Sequence, residues 1–281
     1  MASSRKQLFH TRLAVVLPNL PINSSTISMT TRMARIAESR GYHATLTFLR
    51  SGKPDINDLL SAGRIADELV SFTPLPDDIV QQLRDADIVV RPPIVETGTP
   101  FFNIYAGVSS HIGRIMTERM IFRGRENLAY VCVDDPGFDL MTQLRYAGMI
   151  DACLKRGIKS PIMFRTVYSN PNLAGDIVNF MRKHPQIDGF LCHNDLLAIE
   201  MLQALRMTGR TVPSDVAVIG VDNVDEAALI NPTLTSVAYE LTPASEILGK
   251  AFVATLDEKP AQVLSPEELN ELCFLVTRES A

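Results

Sequence analysis

Apolar and polar positions fall into blocks whose period switches between strand-like and helix-like along the chain. RLAVVL (12–17) is an unbroken apolar run, the pattern of a parallel strand covered on both faces. Helical spacing follows at Ile27, Met33, Ile36 and Ala37, with Gly41 as the stop, and HATLTFL (43–49) reads as the next strand. Residues 54–91 are less regular. ADELVSF and ADIVVR read as short strands around a helix in PDDIVQQLRD, whose leading acids suit the helix dipole. FFNIY (101–105) reads as a further strand. The second half is clearer: helix 110–122, strand 128–133, helix 139–156, strand 162–167, helix 173–183, strand 189–193, helix 195–208, strand 216–221, a helix over about 243–257 and a closing strand at 271–278. Glycines at 41, 124, 157 and 209 follow last helical turns, where a left-handed residue without Cβ is favoured. This alternation predicts parallel sheets with right-handed crossovers. Some eleven strands exceed one comfortable sheet, so two lobes are expected.

Composition narrows the class. With 281 residues, 46% apolar and 21% charged, the chain is an ordinary globular one. A net charge of −5 argues against nucleic-acid binding by these residues alone. The four cysteines are dispersed without a CxxC, and three lie in apolar runs, as small buried hydrophobes do. No apolar window reaches the ~18 residues of a membrane span, and LAVVL is too short for the core of an export signal. The expectation is a cytoplasmic protein with reduced thiols and no membrane partner. Residues 1–11 are polar and basic, and read as a loose segment.

Catalytic signatures are missing. The histidines at 10, 43, 111, 184 and 193 form no HxxxH or HExxH, so no metal site is expected. Cys192 and His193 are strand neighbours that point to opposite faces and cannot act as a pair. Neither a GxSxG elbow nor a glycine-rich phosphate loop occurs. The chain reads as a non-enzyme without a cofactor.

What remains is a set of polar residues where predicted strands end. In open α/β sheets that edge is where ligands bind. Asn194 and Asp195 follow strand 189–193 and open a helix; one side chain suffices as the cap, and Asn194 is assigned to the ligand. Asp222 ends strand 216–221 as an acceptor for ligand hydroxyls. Arg145 lies early in helix 139–156, from which a guanidinium can reach back to the same edge. Tyr168 follows strand 162–167 and offers a flat face for a ring. Acid, amide, guanidinium and ring favour a sugar.

These residues lie in segments that resemble the effector-binding core of the lactose-repressor/galactose-repressor (LacI/GalR) transcription factors. MTERMIFRGRENLAYV and LRYAGMIDACLKRGI are similar to that family's helix–strand and "R..GF..AL...G" patterns. CHNDLLAIEMLQALRMTGRTVPSDVAVIGVDN is similar to its "NDxxAxGxxxxLxxxGxxVPxDVxVxGxD" signature, NPTLTSV to its "PPLTTV", and FLVTRES to its closing strand. The resemblance implies a two-lobed, periplasmic-binding-protein-like (type I) α/β fold, each lobe a parallel sheet with helices on both faces. Residues 12–109 plus 240–264 would form the N-terminal lobe, and 110–239 plus 265–281 the C-terminal lobe. It implies a small-molecule effector between the lobes and a homodimer. By position, Arg145, Asn194 and Asp222 match the family's polar effector contacts and Tyr168 its stacking position.

The chain also departs from the family. Glu200 stands where NDxxAxG has glycine, and is expected on a helix surface. IYAGVSSHIG lacks the usual aspartate, and PNLPINSST lacks the usual aromatic pair, which leaves Asn23 and Ser24 as first-lobe contacts. Only eleven residues precede strand 12–17, so no helix-turn-helix headpiece is expected here, and operator DNA would be engaged only through a headpiece outside these residues. The functional expectation is a sensing and dimerisation core whose effector shifts a population between two arrangements. The alternative is a periplasmic-type sugar-binding protein of a transporter.

Overall fold

A computed structural model describes residues 11–19, 24–50 and 54–281, without the side chains of Ser24 and Ser25. The expected loose segment 1–11 therefore lies outside the described residues except for Thr11, and Asn23 lies outside them too. The chain divides into two compact units. Unit 1 holds the chain up to Tyr105 together with Leu241–Val263, and unit 2 holds Ala106–Glu240 and Leu264–Ala281.

Unit 1 is built on a four-stranded parallel sheet. The strands are β1 (Thr11–Leu17), β2 (Tyr42–Phe48), β3 (Glu68–Ser71) and β4 (Val89–Val90), in the order β2-β1-β3-β4. The interior of β1 is buried on both faces because its side chains feed two helix layers. Ala14 and Val16 pack with Leu49, Leu59, Leu69, Leu83 and Ile88, under α2 (Ile56–Gly63) and α3 (Asp77–Asp85). On the other face Val15 and Leu17 meet Met33 and Phe252, from α1 (Ser24–Ser39) and α8 (Leu241–Leu256). Helix α2 was not read from the sequence. Its start is set by Asp55, whose carboxylate accepts the Asn57 N–H at 2.8 Å.

FFNIY is helical rather than a strand, a correction to the sequence reading. Residues 101–105 open α4 (Pro100–Phe122), ten residues before the expected start. Pro100 has φ pre-set for a first helical position. Thr99 accepts the Phe102 N–H on its Oγ1 (3.1 Å) and the Asn103 N–H on its carbonyl (3.1 Å). Phe101, Ile104, Val108 and Ile112 are buried at helical spacing, a period that five residues are too few to display.

Unit 2 carries a six-stranded sheet ordered β10-β9-β8-β7-β5-β6. Its strands are β5 (Leu128–Val133), β6 (Ile162–Thr166), β7 (Gly189–Cys192), β8 (Ala217–Val221), β9 (Thr235–Tyr239) and β10 (Cys273–Val276). All pair in parallel except β10, which runs antiparallel to β9. The closing strand is also shorter than expected, because α9 (Pro266–Leu272) precedes it. That helix starts at a capping box between Ser265 and Glu268. The helices α5 (Asp139–Arg156), α6 (Leu173–Lys183) and α7 (Asp195–Met207) link β5 to β6, β6 to β7 and β7 to β8.

Helices α4 and α5 cross at a reciprocal pair of glycines. A Cβ on Gly148 would lie 1.8 Å from the Ser110 carbonyl oxygen, and one on Gly113 would lie 2.0 Å from that of Arg145. Backbone meets backbone here, and the crossing fixes where α5 delivers Arg145. Ten strands are present among the described residues; FFNIY is not one of them, and β9 was not read from the sequence.

Candidate functional site

Strand order gives unit 2 a switch point. β5 is its first strand, β6 pairs on one side of it and β7 on the other. The chain therefore leaves β5 and β7 toward opposite faces, and a crevice opens at their carboxyl ends. Four of the residues singled out from the sequence come to this edge from successive strand–helix units. Arg145 is on α5 after β5, Tyr168 follows β6, Asn194 follows β7 and Asp222 follows β8.

Asn194 does two jobs. Its Oδ1 accepts the Leu197 N–H (3.0 Å) as the α7 cap, and its Nδ2 donates to the Tyr168 hydroxyl (2.9 Å). Tyr168 thus reaches across the end of β5, since β6 and β7 flank that strand. Phe138 sits edge-on to the Tyr168 ring at 6.2 Å and to His193 at 5.4 Å. Arg145 is buried and donates from Nη1 to the His193 carbonyl, so the guanidinium is tied to the residue before the cap. Below it His193 and Tyr130 share a buried 2.9 Å hydrogen bond. Burial, and then the Arg145 charge, push His193 well below the usual histidine range, so the ring is neutral. Tyr168 is raised, first by burial, with the charge of Asp222 among the smaller causes.

Asp222 and Asn223 have φ of 106° and 50°, in the region that disfavours side chains. Such strain persists only where the surroundings over-determine it, and here four hydrogen bonds do so. The Asp222 N–H donates to the Val237 carbonyl (2.9 Å), the Asn223 N–H to Ser236 Oγ (3.0 Å) and the Val224 N–H to Asp195 Oδ2 (3.0 Å). Arg278 donates to Asn223 Oδ1 at 2.7 Å.

Asp195 is the residue that sequence reasoning passed over. It is fully buried and faces inward rather than capping, accepting the Ser236 hydroxyl on Oδ1 at 2.7 Å. A Cβ on Gly220 would come within 2.1 Å of that oxygen, so glycine in β8 makes room for the carboxylate. The signal was present: two polar residues at a helix start, one cap needed, and a small residue in the neighbouring strand. Burial raises Asp195 to about 7 against the hydrogen bonds that favour its charge. Burial also raises Asp222 to about 7, with the Asp195 charge adding to the rise and Arg145 opposing it. The two acids and the guanidinium form one electrostatic cluster at the edge, suited to exchanging hydrogen bonds with hydroxyls.

Glu200 lies on helix α7 and is not free there. It is half-buried, and both carboxylate oxygens accept the Ser169 N–H, at 3.0 and 3.1 Å. Ser24 begins α1 in unit 1. Among the described residues no group of three or more His, Cys, Asp or Glu side chains could hold a metal, and no helix is long and apolar enough to cross a membrane.

Residues 117–281 match the family described as the periplasmic binding protein-like domain. The regulator GntR of Pseudomonas aeruginosa is 33% identical over 172 residues, covering 60% of this chain and 48% of that protein. Among solved structures, the regulator CelR in complex with cellobiose superposes with a TM-score of 0.70 at 22% identity, covering 96% of this chain and 84% of that one. A LacI family regulator from Arthrobacter sp. FB24, in complex with lactose, does so at 0.61 and 22%, covering 96% and 98%. The chain spans about half the length of the curated relatives it matches, which are helix-turn-helix-type transcriptional regulators rather than enzymes. The chain belongs to the periplasmic binding protein-like family, and LacI family regulators are among its structural neighbours.

Proposed function

We propose that this chain senses a small polyhydroxylated molecule, a sugar, for a LacI-type transcriptional regulator. Arg145, Tyr168, Asn194 and Asp222 would hold the effector at the carboxyl edge of the unit 2 sheet. Arg145 supplies donors, Asp222 accepts from hydroxyls, Asn194 does both, and the Tyr168 ring packs against a sugar face. Asn23 and Ser24, the first-lobe contacts expected from the sequence, belong to the same proposal. The observation that carries it is the convergence of four side chains from successive strand–helix units, with the strained Asp222–Asn223 backbone held in place. The cellobiose and lactose complexes of the structural neighbours support a sugar. Bound effector would shift a population between two arrangements of a homodimer, and a headpiece outside these residues would engage operator DNA.

Thermal shift against cellobiose, lactose, galactose, glucose 6-phosphate and adenine tests this reading, because a ligand of the folded state raises Tm by mass action. A sugar is expected to stabilise the protein, and Asp222→Ala and Arg145→Ala are each expected to weaken its binding by roughly tenfold or more, the scale of a charged hydrogen bond. Response to adenine alone overturns the ligand class. Unchanged affinity in both variants overturns the site.

A further inference from the structure

Tyr168 stands on a turn held against its own backbone preference. Ser169, the next residue, has φ of 55°, a left-handed conformation that costs a non-glycine residue free energy. Asn170 closes the turn on itself: its Nδ2 donates to Thr166 Oγ1 (3.1 Å) and Asp176 Oδ2 (2.9 Å), and its Oδ1 accepts the Asn172 N–H (2.9 Å). These bonds shape the turn but do not tie it to the β7–α7 side of the edge.

Two other bonds do, and both come from α7. Asn194, the cap, holds the phenol tip of Tyr168. Six residues along, Glu200 holds the backbone amide at its root with both carboxylate oxygens. The ring is thereby anchored to one helix at both ends, with Phe138 against its edge. The glycine of the family pattern at this position has no side chain with which to make the second tie.

We propose that Glu200 is a positioning residue that locks the Tyr168 turn, so that the ring is a pre-formed wall of the binding edge. A wall ordered before the ligand arrives spares the cost of ordering it on binding. It also favours ligands that fit the fixed ring over those that need the turn to open. The binding consequence rests on the effector reading of Tyr168; the locking itself does not.

The test compares wild type, Glu200→Ala and Glu200→Gln by NMR without ligand, then with cellobiose and lactose as probes. In Glu200→Ala the Ser169 amide is expected to exchange about tenfold faster, as loss of a charged acceptor allows. The Tyr168 ring resonances should broaden or average while the rest of the spectrum stays native. Glu200→Gln keeps an acceptor oxygen and should restore most of the Ser169 protection and the ring signature, which a merely structural surface residue would not do. Unchanged exchange and unchanged Tyr168 resonances in Glu200→Ala overturn the lock. If neither sugar binds wild type, the effector reading fails while these spectra still decide the lock. If a sugar binds and Glu200→Ala loses the lock with no change in affinity or in the cellobiose-to-lactose ratio, the positioning role is overturned.

Discussion

Among the described residues, unit 1 keeps its ionisable groups at or near the surface. Arg12 at the start of β1 meets Asp67 beside β3 at 2.6 Å with both side chains exposed, and Arg91 meets Glu68 at 2.5 Å with each about a quarter exposed. Its buried polar residues among those described are the hydroxyls Thr30, Ser71 and Ser245. Unit 2 buries His111, Arg145, His193 and Asp195. Both units are sheets between helix layers, parallel but for β10, so the fold itself does not demand buried charge. Desolvating charged groups costs free energy that an apolar core would not. Three of unit 2's four cluster at the carboxyl edge, where the strained Asp222 also lies. The contrast teaches that unit 2 gives up stability at one edge to hold a polar constellation, and every prediction below is a way to test that asymmetry.

The largest effect is expected where backbone meets backbone. Gly148→Ala puts a methyl 1.8 Å from the Ser110 carbonyl, which must move, together with the α4–α5 crossing that carries Arg145. A loss of about 3 kcal/mol or more is expected, at the upper end of overpacking costs. Gly63→Ala in unit 1 meets only the Ile88 side chain at 2.6 Å, which can rotate, and should cost nearer 1 kcal/mol. Urea midpoints at constant m-value check the ordering. Equal losses would show that the crossing is no more rigid than a side-chain contact.

Next comes the buried carboxylate. Asp195→Ala strands the Ser236 hydroxyl and the Val224 N–H and frees the strained Asp222–Val224 segment, and a loss of about 2 kcal/mol is expected. Amide exchange should quicken first at Asn223 and Val224. Protection there that matches the wild type would mean Asp195 does not brace the segment.

The same contrast explains what could be read from the chain. Helices α5 and α6 were legible to the residue because their apolar spacing is regular and Gly157 and Pro185 follow them. In unit 1 the short α2 offered a single cap, Asp55, and β4 is two residues long, below what a periodic pattern can reveal. Strand β9 and helix α9 were hidden in two separate segments on either side of α8, each with prolines and polar residues nearby. The placement of the four candidate residues was legible as far as position decides it: Arg145 lies in the helix after β5, and Tyr168, Asn194 and Asp222 follow β6, β7 and β8. The inward turn of Asp195, the Glu200 tie and the Arg278 bond to Asn223 depend on pairings across 29 to 55 residues of chain, which no local pattern encodes.

The pH dependence of stability should differ in sign between the unit 2 edge and the Arg12–Asp67 pair of unit 1. Asp195 and Asp222 bind protons more tightly folded, at about 7, than their ordinary value of 3.8. From about pH 4 to 7 the folded state therefore carries the extra protons, and their contribution to stability falls as pH rises through that window. Asp67 runs the other way: hydrogen bonding to Arg12 lowers it below 3.8, so its contribution is present above that value and lost as pH falls through the depressed one. Asp222→Asn should flatten the decline between pH 5 and 7 seen in thermal melts. A slope unchanged in both Asp222→Asn and Asp195→Asn would break the claim that this edge stores the cost.

The smallest effect is expected from Arg12→Ala, and it sharpens the comparison as a control. The pair with Asp67 has good geometry, with Nε and Nη2 both donating to the carboxylate and the Arg12 N–H adding a 2.7 Å bond. Geometry of this kind, buried, would matter greatly. Here both partners are exposed, water screens the attraction, and a long side chain loses rotamer freedom to make it, so the loss is expected to be smaller than in any variant above. The backbone bond from the Arg12 N–H survives the substitution, which lowers the effect further. The measurement is the urea midpoint at low and at 0.5 M salt, where the difference from wild type should shrink toward zero, since added salt shortens the range of surface charge. A loss that rivals Asp195→Ala and resists salt would place a structural charge in unit 1 after all, and would remove the asymmetry between the two units.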